Sequence, residues 1–208
     1  MLELTELLAR PDLAARDRPL VAAKVAIADA SWSRLAECAT TSRTLGHPRS
    51  ELEETLLQAV LFYGFPRVVS AFGVLSEAWP ADTPPSGGAL PPAEQAGAGA
   101  ALFAAIYGDN TDDVLTMLTS HHGELHDFVL QAAYGRILTR PGLAAHRREL
   151  LAVAALAALG QRPQLVAHGR GALALGASAA EVAEAIFVAL QDADAVASEM
   201  HRIAQRGR

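Results

Sequence analysis

The sequence predicts an all-α protein built from two tandem copies of a helical-hairpin-plus-helix module. Three observations carry this expectation. Apolar residues recur at helical spacing along most of the chain, and no run alternates with period two. Glycines, prolines and capping residues punctuate the chain at intervals that suit short helices. Two long stretches align with each other at a constant offset of 130 residues.

Residues 2–17 read as a short helix or two, broken at Pro11. The pieces PLVAAKVAIADA, SWSRLAECATTSRTLG, SELEETLLQAVLFYG and FPRVVSAFGVLSEAW each show helical periodicity. Ser31 is placed as an N-cap, and Ser50 and Glu53 have the spacing of a capping box. Pro66 falls just inside the start of a helix, where a missing N–H is tolerated. Residues 80–100 are rich in Pro, Gly and Ala and read as a linker. It divides the chain into an N-terminal module, 1–79, and a C-terminal module, 101–208. Helices resume at 101–106, 112–119 and 125–138, with a turn at Gly108, Asp109 and Asn110 and a cap at Thr111.

Pro141 and Gly142 break the chain before its most informative stretch, RRELLAVAALAALGQRPQLVAHGRGALALGAS. Leu150, Val153, Ala154, Ala157 and Ala158 repeat at helical spacing. Gly160 ends this helix and Pro163 starts the next, which runs to a C-terminal cap at Gly176. Ser178 and Glu181 form a capping box that opens a third helix. The first two helices should pair as an antiparallel hairpin. Glu149 lies 160 − 149 = 11 positions before Gly160, and His168 lies 168 − 160 = 8 after it. At the rise of an α-helix they stand about 16 Å and about 12 Å from the turn, a difference of less than one helical turn. A carboxylate and an imidazole at similar height can work as an acid/base pair. The spacing also fits a solvated glutamate and a hydrogen-bonded core histidine, the commoner arrangement.

The offset of 130 aligns residues 18–75 with 148–205 without a gap, with ten identities. The informative ones are Gly46 with Gly176, Glu51 with Glu181 and Glu54 with Glu184, at a turn and the helix after it. Glu149 corresponds to Pro19 and His168 to Cys38, so the first copy lacks the pair. The alignment suggests a fused pseudo-dimer whose first copy packs against the second and shapes its pocket. The plain alternative is drift in a structural half.

The chain has 208 residues, long enough for a substantial core, with 51% hydrophobic and 19% charged residues. A net charge of −6 makes nucleic acid an unsuitable partner. One cysteine excludes an intramolecular disulfide framework and fits a reducing, cytoplasmic setting. The first residues lack the basic and apolar regions of a signal peptide, and no apolar run reaches membrane-spanning length unbroken. His121, His122 and His126 cluster in HHGELH, but zinc needs three or four convergent ligands, and a polar helix start is the simpler account. No metal or cofactor is expected. Arg148 suits a carboxylate, Tyr134 and Arg136 are further candidates for the pocket, and any of these can equally be a solvated or core side chain.

The segment RELLAVAALAALG, QLVAHGRGALALGAS and EVAEAI resembles the core of the carboxymuconolactone decarboxylase family, which includes AhpD-type alkylhydroperoxidases. Upstream, YGRILTRPGLAAHRREL is similar to the segment leading into that core, and Tyr63-Gly64-Phe65-Pro66 resembles the family's Tyr-x-Gly-x-Pro stretch. The resemblance implies an AhpD-like helical bundle. In the peroxidases a Glu and a His, spaced as Glu149 and His168 are, flank a Cys-x-x-Cys pair whose positions fall on Gln161 and Gln164 here. The resemblance thus implies a cofactor-free lyase acting on a small carboxylated, lactone-type substrate. Glu149 and His168 would be catalytic, and Arg148, Tyr134 and Tyr63 would bind substrate. A non-catalytic or ligand-binding relative is the alternative, and a thiol peroxidase the weakest reading. The family's single-module members assemble as trimers or hexamers, which implies a homo-oligomer here.

Glutamine cannot replace a thiolate nucleophile. Peroxide reduction driven by a dithiol donor is therefore expected to stay at the background rate, and to be unchanged in Cys38→Ser. A coupled peroxidase assay that found robust turnover lost in Cys38→Ser would overturn this.

Overall fold

The computed structural model describes residues 2–81 and 88–205, all helix, turn and loop with no strand among them. Helix α1 spans Leu4–Leu8, α2 Arg18–Ala28, α3 Trp32–Thr44 and α4 Arg49–Ala78. Then come α5, Pro92–Tyr107, a 3₁₀ turn at Gly108–Asn110, α6, Thr111–His121, α7, Gly123–Phe128, and a π-helix, Val129–Leu138. The last four are α8, Ala145–Ala158, α9, Arg162–Ala174, α10, Ala179–Leu190, and α11, Ala193–Ala204.

Several boundaries differ from those the sequence suggests. Part of the expected linker, 82–87, lies outside the described residues, and its last part is helical, because α5 starts at Pro92. Proline favours the first turn, and the Ala-rich run after it needs no further help to form a helix. Ser50 does not cap α4. Pro48 holds the N-cap position, and Glu53 pairs with Arg49 inside the helix. Ser31 is the N-cap of α3, although its side chain makes no capping bond. Ser178 and Glu181 do form a capping box on α10. Helix α4 is long and apolar enough to meet the length and composition of a membrane span. Gly64 breaks it with φ 73° and ψ 172°, a conformation only glycine takes easily, and Pro66 starts a new helical segment behind the kink.

One large apolar core joins α1–α4 to α8–α11, with Ile27, Leu35, Leu52, Leu56, Val153 and Ile186 almost fully buried. A smaller cluster of Phe103, Ile106, Tyr134 and Leu138 joins α5 to the π-helix and packs beside α9. Glycine lets α5 and the π-helix meet backbone to backbone. A Cβ on Gly99 would stand 2.8 Å from the Gly135 backbone, closer than side chains tolerate.

The two halves share local geometry at the offset of 130. Helices α3 and α9 start and end at equivalent residues. Ala30 and Gly160 both have positive φ, as do Gly46 and Gly176. The bonds His47 N to Ser42 O and Ala177 N to Ala172 O close the same turn, each at 2.9 Å. The similarity extends upstream of Arg18, since Arg10, Pro11, Leu13, Ala14 and Ala15 match Arg140, Pro141, Leu143, Ala144 and Ala145. These arginines cross between halves. Arg10 binds Glu184, and Arg140 binds Glu54, the equivalent carboxylate. Asp17 and Arg147, also equivalent positions, pair with each other where α2 meets α8.

The crossing pairs differ in burial. Arg148, 1% exposed, also donates to Glu54 at 2.8 Å, whereas the Arg10 side chain is 33% exposed. Loss of Glu54 therefore strands a buried cation, but loss of Glu184 leaves one that can turn to water. Glu54→Ala should cost about 3–5 kcal/mol and Glu184→Ala about 1 kcal/mol in urea unfolding. Equal costs would contradict this account.

Candidate active site

Glu149 projects from the first turns of α8 and His168 from the middle of α9. The turn at Gly160, φ 66°, folds the two helices side by side. His168 Nδ1 lies 2.7 Å from Glu149 Oε2. The glutamate side chain is 1% exposed, and the histidine side chain keeps 11%. His168 Nε2 has no hydrogen-bond partner among the described residues and is not sealed from solvent. A buried carboxylate thus orients the ring through one nitrogen and leaves the other open, the arrangement that general acid–base chemistry requires. Burial pushes the imidazole pKa down, but the charge and hydrogen bond of Glu149 outweigh it, and the pKa ends above its usual value.

Helix α9 comes close to this pair because Gly171 has no side chain. A Cβ there would stand 3.1 Å from Glu149 Oε2 and 2.7 Å from Ile106. That approach brings the end of α5 over the imidazole. Tyr107 packs edge-on against His168, with ring centroids 6.4 Å apart. Tyr134, from the π-helix, donates its hydroxyl to Tyr107 at 3.4 Å. Phe103 fixes both rings, at 4.4 Å from Tyr107 and 4.8 Å from Tyr134. Burial raises the pKa of both phenols, and the nearby charge of Glu149 adds to it. They are held as neutral hydrogen-bonding groups.

Only some of the candidates named from sequence come together. Glu149, His168 and Tyr134 come together with Tyr107. Arg148 turns to the other side of α8, toward Glu54 and the Arg140 carbonyl. Tyr63 stands with Phe62 beside the buried ammonium of Lys24. Burial, reinforced by the charge of Arg148, pushes the Lys24 pKa well down. Gln161 and Gln164 are exposed at the start of α9. Burial pushes the Cys38 thiol up to about 12, so it stays protonated and unreactive. His122 caps α7 by accepting from Glu124 N, and His126 lies 2.9 Å from Asp127. No group of three or more potential ligands converges on a metal position among the described residues. Arg136 is exposed on the π-helix.

Sequence reasoning missed Tyr107 and Lys24. Tyr107 is the last residue of an Ala-rich helix, directly before Gly108, and its aromatic hydroxyl was the available signal. Lys24 is a single cation in the apolar run PLVAAKVAIADA. A cavity of about 370 Å³ lies elsewhere, between α2 and the end of α10, and shares no residue with the acid–imidazole pair. Chemistry, more than cavity size, identifies the candidate site.

Residues 124–205 match the family model described as the Carboxymuconolactone decarboxylase family. The match includes Tyr134, Arg148, Glu149 and His168 and excludes Tyr63 and Tyr107. No curated protein matches the chain.

The raised pKa of His168 links this site to stability. A group whose pKa rises on folding stabilises the fold fully below its unfolded pKa, near 6.5 for histidine, and that contribution is lost as pH climbs through the folded value. The stability advantage of the wild type over His168→Gln should be largest near pH 5.5 and shrink as pH rises above neutrality. Urea unfolding at a series of pH values reads this directly, and an advantage that grows with pH would refute it.

Proposed function

We propose that this chain, whose residues 124–205 match the model of the carboxymuconolactone decarboxylase family, is a cofactor-free lyase that removes carbon dioxide from a small carboxylated, lactone-type substrate. The observation that carries the reading is the 2.7 Å contact between a buried Glu149 and His168, with Nε2 left open. Cleavage of the carbon–carboxylate bond leaves its electron pair on the substrate as an enolate or carbanion. The imidazolium of His168 then delivers a proton from Nε2 to that carbon, and Glu149 stabilises the charged ring. The raised pKa of His168 favours the acid form that this step needs. The Tyr107 hydroxyl, which accepts from Tyr134, has its own proton to offer a substrate oxygen. Arg148 serves here by fixing α8, since its charge is answered by Glu54.

A ligand-binding relative without turnover is the second reading, and the cavity remote from His168 favours it. The equivalent turns and crossing ion pairs also support a fused pseudo-dimer, which would replace one contact of a symmetric family assembly inside a single chain. The exposed Phe65 and Val69 on α4 leave apolar surface for assembly into a homo-oligomer. We place the protein in the cytoplasm.

The test is release of carbon dioxide from a panel of carboxylated lactones. Wild-type protein should turn over at least one, and Glu149→Gln and His168→Gln should each lower kcat by about 10²–10⁴-fold. Circular dichroism of both variants checks that the fold persists. Absence of turnover by the wild type on the whole panel, or full activity in folded His168→Gln, would remove the lyase reading.

A further inference from the structure

We propose that the chain binds a small monocarboxylate with a short apolar tail in the cavity enclosed by α2, the start of α3 and the end of α10. The cavity measures about 370 Å³, within the size range of small-molecule sites. Val25 and Ala26 line it from one side and Val188 and Leu190 from the other, which suits an alkyl chain. The polar lining residues are Asp29, Ser31, Arg34 and Gln191. A pocket that offers both apolar and polar lining orients an amphipathic ligand.

Arg34 supplies the charge for the carboxylate. It donates Nη2 to the Leu2 carbonyl at 2.9 Å, which steadies the guanidinium. No carboxylate among the described residues stands within ion-pair distance of it. Ser31 stands at the N-cap of α3 without a side-chain bond to its own helix, which leaves its hydroxyl unspent. The amide dipoles at that helix start add to the preference for an anion. Asp29 is exposed and lines the same cavity without an ion-pair partner among the described residues. Its charge opposes an anionic ligand, and a dianion more than a monoanion, so one carboxylate is favoured over two.

Two left-handed turn residues border these groups, one after α2 and one capping α10. Ala30, φ 54°, and Gln191, φ 51°, are the non-glycine residues with positive φ among the described residues. Ala30 lies between Asp29 and Ser31, and Gln191 lines the cavity. Gln191 also accepts from Leu2 N at 2.6 Å, which ties the N-terminal segment to the cavity wall.

Calorimetric titration of the full chain with sodium hexanoate tests the proposal, with hexylamine and adipate as comparison probes. Hexanoate should give a saturable isotherm, and hexylamine and adipate should bind about tenfold more weakly or worse. Arg34→Gln should weaken hexanoate about tenfold or more, the loss expected for a charge-assisted hydrogen bond. Ala189→Leu, at a half-buried position in the wall, should block the site by filling it. His168→Gln should bind as the wild type does, because the two sites share no residue, so this result stands or falls apart from the lyase reading. No saturable binding of hexanoate by the wild type, equal binding of hexylamine, or an unchanged isotherm in both Arg34→Gln and Ala189→Leu would each overturn the proposal.

Discussion

A guanidinium that is 1% exposed must find its counter-charge inside the protein, and Arg148 finds it on the other half of the chain. Glu54, on α4, receives Arg148 and Arg140 together. Burial alone would raise the pKa of this carboxyl, but the two arginines hold it below its usual value. Gln58, one turn along α4, donates to the Arg148 carbonyl at 2.9 Å, so the backbone of α8 is anchored as well as its side chain. Buried ion pairs contribute little net energy, since desolvation offsets most of the attraction. Removing one partner is costly all the same, and that asymmetry fixes which face of α8 meets α4.

The placement of the acid–imidazole pair follows from this. Neighbouring residues on an α-helix point about 100° apart, at 3.6 residues per turn. Arg147 reaches Asp17 and Glu51, Arg148 reaches Glu54, and Glu149, the next step around, is left facing α9. Three consecutive charged residues thus serve different partners on different sides of α8. The same geometry explains why Arg148 does not accompany Glu149 at the site. Residues next to each other in a helix do not share a face, and this could have been read from the sequence.

The hairpin, its turn at Gly160 and the similar heights of Glu149 and His168 are legible in the sequence, because they follow from helical rise and the positions of Gly and Pro; that the two side chains bond to each other is not. The surroundings of the pair are not. Tyr107 and Tyr134 are far apart in sequence and meet through the glycine contact between α5 and the π-helix. A π-helix has no periodicity signature of its own, so residues 125–138 read as ordinary helix. The linker reading at 80–100 gave weight to Pro and Gly and missed that Pro92 starts a helix. Nothing in the sequence marks Lys24 as buried, since a lone cation in an apolar helix ordinarily reaches the solvent edge. Here α4 covers it with Phe62 and Tyr63.

The hairpin at the offset of 130 offers a comparison within the chain. This hairpin, of α2 and α3, has the same turn, with Ser31 N bonded to Ala26 O at 2.8 Å as Gln161 N is to Leu156 O at 2.9 Å. At the positions of Glu149 and His168 it carries Pro19 and Cys38, both buried. The hairpin therefore forms with a purely apolar filling at these two positions. Burying a carboxylate and an imidazole instead carries a desolvation penalty that the fold has no need to meet. A buried polar pair at positions that the equivalent hairpin fills with apolar side chains, with one ring nitrogen left open, supports the proposal that it serves proton transfer.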